Sequence, residues 1–189
     1  MSELIGKELG FYQILEYISA GGMSTVYKAY HAALDRDVAI KVLPTQAGRE
    51  QDLRQRFEQE VRTIARLQHA HILPIFDYGQ EDGRLYLVMR LIEHGSLADR
   101  LRLGSMDLGL ISRVMHQVGD ALSFAHSQGI VHRDVKPSNV LIDDRGNCYL
   151  SDFGLAKTMQ ASVRFTATGV GLGTPAYMSP EQGKGEAVD

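Results

Sequence analysis

Cysteine is almost absent from this sequence of 189 residues, which contains only Cys148. A single cysteine excludes an internal disulfide and is typical of proteins from a reducing compartment. Cys148 precedes "YL" in an apparent strand. We therefore expect it to be a small core residue rather than a reactive thiol.

Long apolar runs and a strong net charge are also missing. No run approaches the roughly 20 residues that span a bilayer, and the N-terminal "MSELIGKELG" lacks the core of a signal peptide. The formal net charge of −3 gives no general attraction to nucleic acid or to an anionic membrane. These absences predict a soluble, cytoplasmic protein without a nucleic-acid partner or a membrane segment.

The residues that are present suit a globular chain of one domain or two small lobes. Hydrophobic residues make up 44% of the sequence and charged residues 23%, which is enough apolar material for a sizeable core. The first half favours strands and one helix. The strand-like runs are "FYQILEYIS", "STVYKAYHA", "DRDVAIKVLP", "HILPIFDYG" and "GRLYLVMRLI".

The helix of the first half follows the third run, where five apolar residues recur at helical spacing. They are Leu53, Phe57, Val61, Ile64 and Leu67. A second, longer helix is predicted over 107–128, ended by Gly129. Its apolar stripe contains Ile111, Val114, Met115, Val118, Leu122 and Ala125. The prediction is a two-lobed α+β protein with a five-stranded antiparallel sheet in its first lobe.

The segment "IVHRDVKPSNVLI" places many polar groups between two short apolar stretches. Asp134 can accept or orient a hydroxyl proton, and Lys136 can stabilise negative charge. Asn139 offers an amide oxygen, which suits Mg²⁺, and Asp152 in "SDFG" offers a second oxygen. Two oxygen ligands and a lysine favour phosphoryl transfer over a metal hydrolase, because the seven His residues are scattered. His132 is expected to pack in the core.

Lys41 is expected on the same strand face as Ala39 and Leu43, where a cation needs a partner. Glu60 lies on the inward stripe of the first helix and is a candidate. An exposed amine and a rim carboxylate remain an alternative. Similarly, Gly21 and Gly22 could bring backbone N–H groups to a phosphate, or form a hairpin turn with no ligand.

The ordered motifs "AGGMSTV", "VAIK", "HRDVKPSN", "DFG" and "SPE", together with Glu60, resemble those of the eukaryotic-type (Hanks) protein kinases. "GGMSTVYKA", "HRDVKPSNVLID" and "GTPAYMSPEQ" are especially similar to bacterial serine/threonine kinases. The resemblance implies a two-lobed kinase fold, with the N-lobe over 11–92 and part of the C-lobe over 93–189. It implies ATP and Mg²⁺, or Mn²⁺, as cofactors and proteins with Ser or Thr as substrates.

The resemblance also implies a role for individual residues. Asp134 and Lys136 would be catalytic, as would Lys41 with Glu60 to position it, while Asn139 and Asp152 would bind the metal. The nucleotide would be bound by Ser19, Ala20, Gly21, Gly22, Val26, Ala39, Lys41, Met89, Arg90, Ile92 and Leu141.

Substrate class and regulation are implied by Lys136 and by several further positions. Lys136 and Thr174 match serine/threonine kinases rather than tyrosine kinases. Arg133 precedes the catalytic Asp, as in kinases that are controlled by a phosphate on the activation loop. Thr166 and Thr168 are the expected autophosphorylation sites, although they could simply be polar loop residues, and Ser162 is a poorer candidate.

Two departures from the family pattern bear on activity. Ser19 and Ser24 stand at the first and third positions of the usual glycine triad. The sequence ends at "GKGEAVD", soon after Glu181, so we expect a domain truncated after the activation segment. An ATP-binding or interaction module with little catalysis is therefore the alternative function. A small-molecule phosphotransferase is disfavoured by "GTPAYMSPEQ", and a homodimer is possible.

Overall fold

The computed structural model describes residues 3–21, 24–43, 50–153, 175–184 and 186. The chain forms two compact units. The first unit contains Met1–Ala65 and Pro74–Leu91, and the second contains Arg66–Leu73 and Ile92–Asp189. The predicted lobe boundaries, 11–92 and 93–189, describe functional lobes and stay a prediction.

The first unit is built on one antiparallel sheet of six strands in the order β1-β2-β3-β4-β6-β5. Its described residues also form the α-helix α1, which spans Glu50–Ile64, and a short 3₁₀ helix at Ala32–Leu34. The strands are β1 (Glu8–Leu9), β2 (Tyr12–Gly21), β3 (Ser24–His31), β4 (Arg36–Leu43), β5 (Ile75–Glu81) and β6 (Arg84–Arg90).

The sheet therefore has one strand more than the five that the sequence predicts. The addition is β1, in which Glu8 pairs with Gln13 and Leu9 with Tyr12. A tight turn at Gly10, whose φ is 59°, returns the chain into β2. A two-residue strand carries no period that a sequence pattern can reveal. The other five strands and the fold class agree with the prediction.

Alternation along β4 separates the two faces of this sheet. Val38, Ile40 and Val42 belong to one apolar core cluster of the first unit. The remaining members of that core are Leu4, Leu9, Tyr12, Ile14, Tyr27, Ala29, Tyr86 and Val88. Ala39 and Lys41 therefore lie on the opposite face, as the alternating pattern predicts.

Helix α1 packs on the face of the sheet that carries Lys41. The row of paired residues across the sheet runs from Lys41 to Leu87 and then to Tyr78. The Phe57 ring of α1 meets the Tyr78 ring edge-on at 6.2 Å, and the Arg62 Nε donates to the Tyr78 hydroxyl at 3.0 Å. Phe57 is buried, so the apolar side of α1 packs against this face of the sheet.

The second unit contains three helices, a two-stranded hairpin and two short 3₁₀ helices among its described residues. The capping residue Ser96 begins α2, and Asp107 caps α3. The helices are α2 (Leu97–Arg102), α3 (Leu108–Ser127) and α4 (Pro180–Lys184), the strands β7 (Val140–Ile142) and β8 (Cys148–Leu150), and the 3₁₀ helices Pro137–Asn139 and Pro175–Tyr177.

The segment Arg66–Leu73 joins the second unit by bonding to β8. Leu73 N–H donates to the Leu150 carbonyl at 2.9 Å, and Leu150 N–H donates to the His71 carbonyl at 2.8 Å. His69 stacks on Phe124 of α3 with ring centroids 5.1 Å apart. This short segment is thus an integral part of the second unit although it follows α1 directly.

The apolar stripe of α3 is narrower than its sequence predicts. Val114, Ala121 and Ala125 are its buried residues, whereas Met115 is 70% exposed and Ile111 is 42% exposed. The buried seam follows a spacing of seven and four residues, so the helix is covered along one narrow line. The prediction that Met115 and Ile111 belong to the buried stripe is therefore wrong.

None of the helices within the described ranges is long and apolar enough to cross a membrane.

A first prediction concerns the room that Gly79 leaves for the Tyr86 ring. A Cβ atom at Gly79 would lie 2.5 Å from Tyr86 Cζ and 2.9 Å from Cε1. Tyr86 is only 6% exposed and has little space to move. We expect Gly79→Ala to lower the free energy of unfolding by about 1–3 kcal/mol, measured by urea denaturation.

Gly119→Ala is the matched control for that substitution. Gly119 lies inside α3, and its Cβ would meet no atom within 4 Å. Because alanine favours helix more than glycine does, the free energy of unfolding of this variant should rise by about 0.5–1 kcal/mol. Equal stability of Gly79→Ala and the parent would contradict the tight packing of Tyr86.

Candidate active site

The hairpin of β7 and β8 brings two predicted site segments together in the second unit. Val140 pairs with Leu150, so the residues just outside them, Asn139 and Ser151, meet at one end of the hairpin. Ser151 donates to the Asn139 carbonyl twice, through its backbone N–H at 2.9 Å and its hydroxyl at 3.1 Å. Asp152 follows Ser151 directly. The "HRDVKPSN" and "DFG" segments are thus joined by backbone bonds.

His132 is fully buried and links the same two segments. Its Nε2 lies 2.8 Å from the Ser151 carbonyl oxygen, and its Nδ1 accepts the Asp134 backbone N–H at 3.2 Å. Nε2 must therefore carry the proton and Nδ1 the lone pair, which describes a neutral imidazole. Burial lowers the pKa of His132 below its ordinary value, in agreement with that form. The ring also packs against Phe153 at 4.4 Å.

The Asp134 carboxylate is held by two neighbours on its own loop. Its Oδ2 lies 2.8 Å from Lys136 Nζ and accepts Asn139 Nδ2–H at 3.0 Å. Asn139 Nδ2 also donates to the Asp134 backbone carbonyl at 2.8 Å. The carboxylate is 27% exposed, so it is oriented yet open to a ligand. Its other oxygen, Oδ1, takes no part in these bonds.

Asn139 presents one defined end of its amide to a ligand. Its two donations to Asp134 commit the NH₂ group, which leaves Oδ1 as the oxygen for a cation. Asn139 is 5% exposed and Asp152 is half-buried. One amide and one carboxylate fit the way Mg²⁺ binds together with phosphate oxygens. Among the described residues, no cluster of three or more His, Cys, Asp or Glu could hold a metal by itself.

Two residues of this site adopt left-handed backbone conformations. Arg133 has a φ of 67° and Asp152 a φ of 64°. A non-glycine residue in this region costs of order 1–3 kcal/mol and persists only where its surroundings hold it. Arg133 directly follows His132, and Asp152 directly follows Ser151. Both of these neighbours form the hydrogen bonds described above. The strain therefore falls on the segments that carry the predicted catalytic and metal-binding groups.

The first unit places four predicted nucleotide-binding residues on one sheet face. Val26 pairs with Lys41, and Ala39 pairs with Met89. Directly paired residues share a face, and so do residues two apart on one strand. Val26, Ala39, Lys41 and Met89 are therefore neighbours. Three of them are apolar and one is a cation, which suits a base with a phosphate tail.

Lys41 and Glu60 are both half-buried in the first unit. Lys41 lies on β4, and Glu60 lies on α1, which packs on the Lys41 face of the sheet. The Oε2 atom of Glu60 is shielded from solvent. A shielded carboxylate oxygen needs a positive or hydrogen-bonding partner, so the structure supports their predicted pairing without testing it.

The other predicted nucleotide residues fall at strand ends. Ser19, Ala20 and Gly21 end β2, and Gly21 pairs with Ser24 of β3. Arg90 ends β6, and its backbone N–H donates to the Pro74 carbonyl at 3.1 Å, so this amide is committed within the first unit. Ile92 and Leu141 are half-buried residues of the second unit.

Several predicted residues lie outside the described part of the chain. They are Gly22, Ser162, Thr166, Thr168 and Thr174.

Residues 12–188 match the family model described as "Protein kinase domain". The chain belongs to the protein kinase family. It is 41% identical over 184 residues to the serine/threonine-protein kinase PrkC of Bacillus subtilis, covering 96% of this kinase chain and 28% of PrkC. It is 42% identical over 172 residues to the serine/threonine-protein kinase PknL of Mycobacterium tuberculosis, covering 90% of this chain and 43% of PknL. The kinase chain thus spans less than half the length of these relatives.

A solved structure supports the kinase fold. The chain is similar to the PknI kinase domain of Mycobacterium tuberculosis, with a TM-score of 0.77 and 27% identity. The similarity covers 100% of this chain and 71% of the PknI chain. The kinase fold and the resemblance to bacterial Hanks-type kinases are therefore confirmed.

One residue that contacts the predicted catalytic loop escaped the sequence reasoning. Gln182 Nε2 donates to the Arg133 backbone carbonyl at 2.7 Å. The signal that could have drawn attention to Gln182 is its spacing from Ser179, since Ser-x-x-Gln is a helix-capping pattern. That pattern would have located α4 but not its bond to a loop 49 residues earlier.

A second prediction follows from the neutral, buried His132. Because the folded state lowers the pKa of this imidazole, the unfolded chain binds its proton at a higher pH. The corresponding stability is present above about pH 6.5 and is lost as the pH falls from there through the folded-state pKa. We expect urea unfolding to show a loss of stability between pH 7.5 and 5.5 that is reduced in His132→Gln.

The His132 imidazole can also be followed directly by NMR. Its ring resonances should remain those of the neutral form at pH 6.5, because burial lowers the pKa of this imidazole. Protonation of His132 at or above pH 6.5 would contradict the assigned hydrogen bonds.

Proposed function

We propose that this kinase transfers the γ-phosphoryl group of Mg–ATP to serine or threonine hydroxyls of proteins. The observation that carries the proposal is the Asp134 carboxylate, which Lys136 and Asn139 hold within one short loop. Phosphoryl transfer depends mainly on positioning and on charge stabilisation. The Asp134 carboxylate is partly exposed, with one oxygen hydrogen-bonded and the other outside those bonds, so it meets the need for positioning.

Asp134 would orient the attacking hydroxyl and take its proton as transfer proceeds. The hydroxyl oxygen forms a bond to the γ-phosphorus, and the bond from that phosphorus to the bridging oxygen breaks. ADP carries away the electron pair of the broken bond. Lys136, whose ammonium lies beside Asp134, would stabilise the negative charge that spreads over the transferring group.

Asn139 and Asp152 would hold Mg²⁺, or Mn²⁺, through their side-chain oxygens together with phosphate oxygens of the nucleotide. The ion would neutralise charge on the phosphates when bound. The Asn139 carbonyl accepts two hydrogen bonds from Ser151, the residue directly before Asp152. Their backbones are thereby fixed before any ligand arrives, which lowers the ordering cost of binding.

The nucleotide would also meet the sheet face that carries Lys41. Val26, Ala39 and Met89 supply apolar contact for a base, with Leu141 and the backbone near Arg90 and Ile92 as further contacts. The Arg90 N–H already bonds to the Pro74 carbonyl, so this N–H is not the group that would meet the base. Lys41, positioned by Glu60, would bind the α- and β-phosphates, with Ser19, Ala20, Gly21 and Gly22 close to them.

Serine/threonine specificity and autophosphorylation complete the proposal. Lys136 and Thr174 match the pattern of serine/threonine kinases, and PrkC and PknL carry that name. Phosphate on Thr166 or Thr168 would carry about two negative charges at neutral pH and could pair with Arg133. The proposal therefore includes regulation by the kinase's own product.

A third prediction tests the proposal through Asp134. After incubation with Mg–ATP, mass spectrometry of the purified parent chain should find phosphate on Thr166 or Thr168. Asp134→Asn keeps the side-chain size but removes the proton acceptor, so we expect phosphorylation to fall at least about 100-fold. Asp144→Asn, at an exposed position in the β7–β8 turn, should behave like the parent.

The outcome decides between the two functions that the sequence favours. Phosphate in the parent and in Asp144→Asn alone supports catalysis by this chain. A folded parent that binds ATP, shown by a thermal shift, but forms no phosphothreonine would indicate an ATP-binding module instead. Phosphate on a small metabolite rather than on protein would favour a small-molecule phosphotransferase.

A further inference from the structure

The peptide group that joins Arg133 to Asp134 is hydrogen-bonded at both of its ends. Its carbonyl oxygen, from Arg133, accepts Gln182 Nε2–H at 2.7 Å. Its N–H, from Asp134, donates to His132 Nδ1 at 3.2 Å. A peptide group is planar, so fixing both ends fixes the orientation of the whole plane. That plane sets the direction in which the Asp134 side chain leaves the backbone.

The residue before this peptide group has an uncommon backbone conformation. Arg133 is left-handed, with a φ of 67°, and a side chain with a Cβ rarely adopts that conformation unaided. A rotation of the Arg133–Asp134 peptide plane would change ψ of Arg133 and φ of Asp134. Such a rotation would break both hydrogen bonds and turn the Asp134 side chain away from its present direction. His132 is buried and opposes the rotation from one end, and Gln182 opposes it from the other.

Gln182 is itself held in the orientation that its bond to Arg133 requires. Its Oε1 accepts the Ser179 backbone N–H at 3.1 Å, and its own backbone N–H donates to Ser179 Oγ at 3.3 Å. These reciprocal bonds form a capping box at the start of α4. Because Oε1 is committed to Ser179, the NH₂ group is the end that faces the Arg133 carbonyl. A reversed amide would place two oxygens against each other.

We propose that Gln182 is a positioning residue for the Asp134 carboxylate, acting through its hydrogen bond to the Arg133 carbonyl. The inference rests on the proposed function, in which Asp134 orients the attacking hydroxyl. It gives α4 a role in catalysis as well as in structure. The Ser179 side chain then anchors the helix, and the Gln182 side chain anchors both the helix and the loop.

Gln182→Glu separates these two tasks. Glutamate can still accept the Ser179 N–H, so the capping box survives. Its second oxygen cannot donate and repels the Arg133 carbonyl. We expect kcat to fall about 10- to 100-fold, as a misplaced catalytic group should cause, while KM for ATP stays within about twofold. Hydrogen exchange of the Asp134 amide, followed by NMR, should accelerate about tenfold or more because the peptide group is released.

Ser179→Ala is the matched control. It removes the hydroxyl of the cap but keeps the backbone N–H that orients Gln182, so the bond to Arg133 remains. This variant should lose some thermal stability, while kcat and the exchange rate of the Asp134 amide stay within about twofold of the parent.

The two readouts distinguish failure of the inference from failure of the proposed function. Unchanged kcat and unchanged exchange in Gln182→Glu would overturn the inference while the kinase activity stands. Equal losses in Gln182→Glu and Ser179→Ala would also overturn it, because stability of α4 alone would then explain both. If the parent itself lacks activity, the proposed function fails, and the amide exchange still shows whether Gln182 holds this peptide.

Discussion

The buried imidazole of His132 is the interaction on which the second unit's site depends. It accepts a backbone N–H from the loop that carries Asp134 and donates to the backbone carbonyl just before Asp152. Two segments that are 19 residues apart in sequence are therefore joined by one ring. The neutral form is essential, because an imidazolium has no lone pair for the Asp134 amide and would be costly to bury. The geometry of Asp134 and Asp152 follows from this arrangement.

Around that ring, the side chains that would carry chemistry are held mainly by backbone. Ser151 binds the Asn139 carbonyl, and the Asn139 side chain binds the Asp134 carbonyl. Lys136 and Asn139 also contact the Asp134 carboxylate. Such a network orders the site without a ligand, because the groups that fix the loop are already hydrogen-bonded, while Asp134 Oδ1 and Asn139 Oδ1 stay outside these bonds. The Lys41 side of the kinase uses a different principle. There the pleat of one sheet places Val26, Ala39, Lys41 and Met89 on a common face.

Much of this could be predicted from sequence where the physics is local. Alternation along β4 correctly placed Lys41 opposite the core of Val38, Ile40 and Val42. Asp134, Lys136 and Asn139 lie within six residues of each other, so their proximity was assured. What escaped prediction depends on distant partners or on backbone detail. Gln182 binds Arg133 across 49 residues. The left-handed φ of Arg133 could not be predicted, because glycine is the usual sequence signal for that conformation. The exposure of Met115 on α3 depends on which neighbours cover that helix, and helical periodicity cannot supply them.

The membership of Arg66–Leu73 in the second unit has a consequence for how the chain acquires its structure. The chain crosses between the units at Ala65, at Leu73 and at Leu91, so neither unit is one continuous piece of sequence. His71 Nδ1 bonds to the Cys148 carbonyl, 77 residues further on, and β5 and β6 are synthesised in between. During synthesis, β5 and β6 therefore leave the ribosome before the residues that bind Arg66–Leu73 have been made. Pairing of this range raises contact order and slows folding. For the same reason, expression of either unit alone would require rejoining the chain rather than simply shortening it.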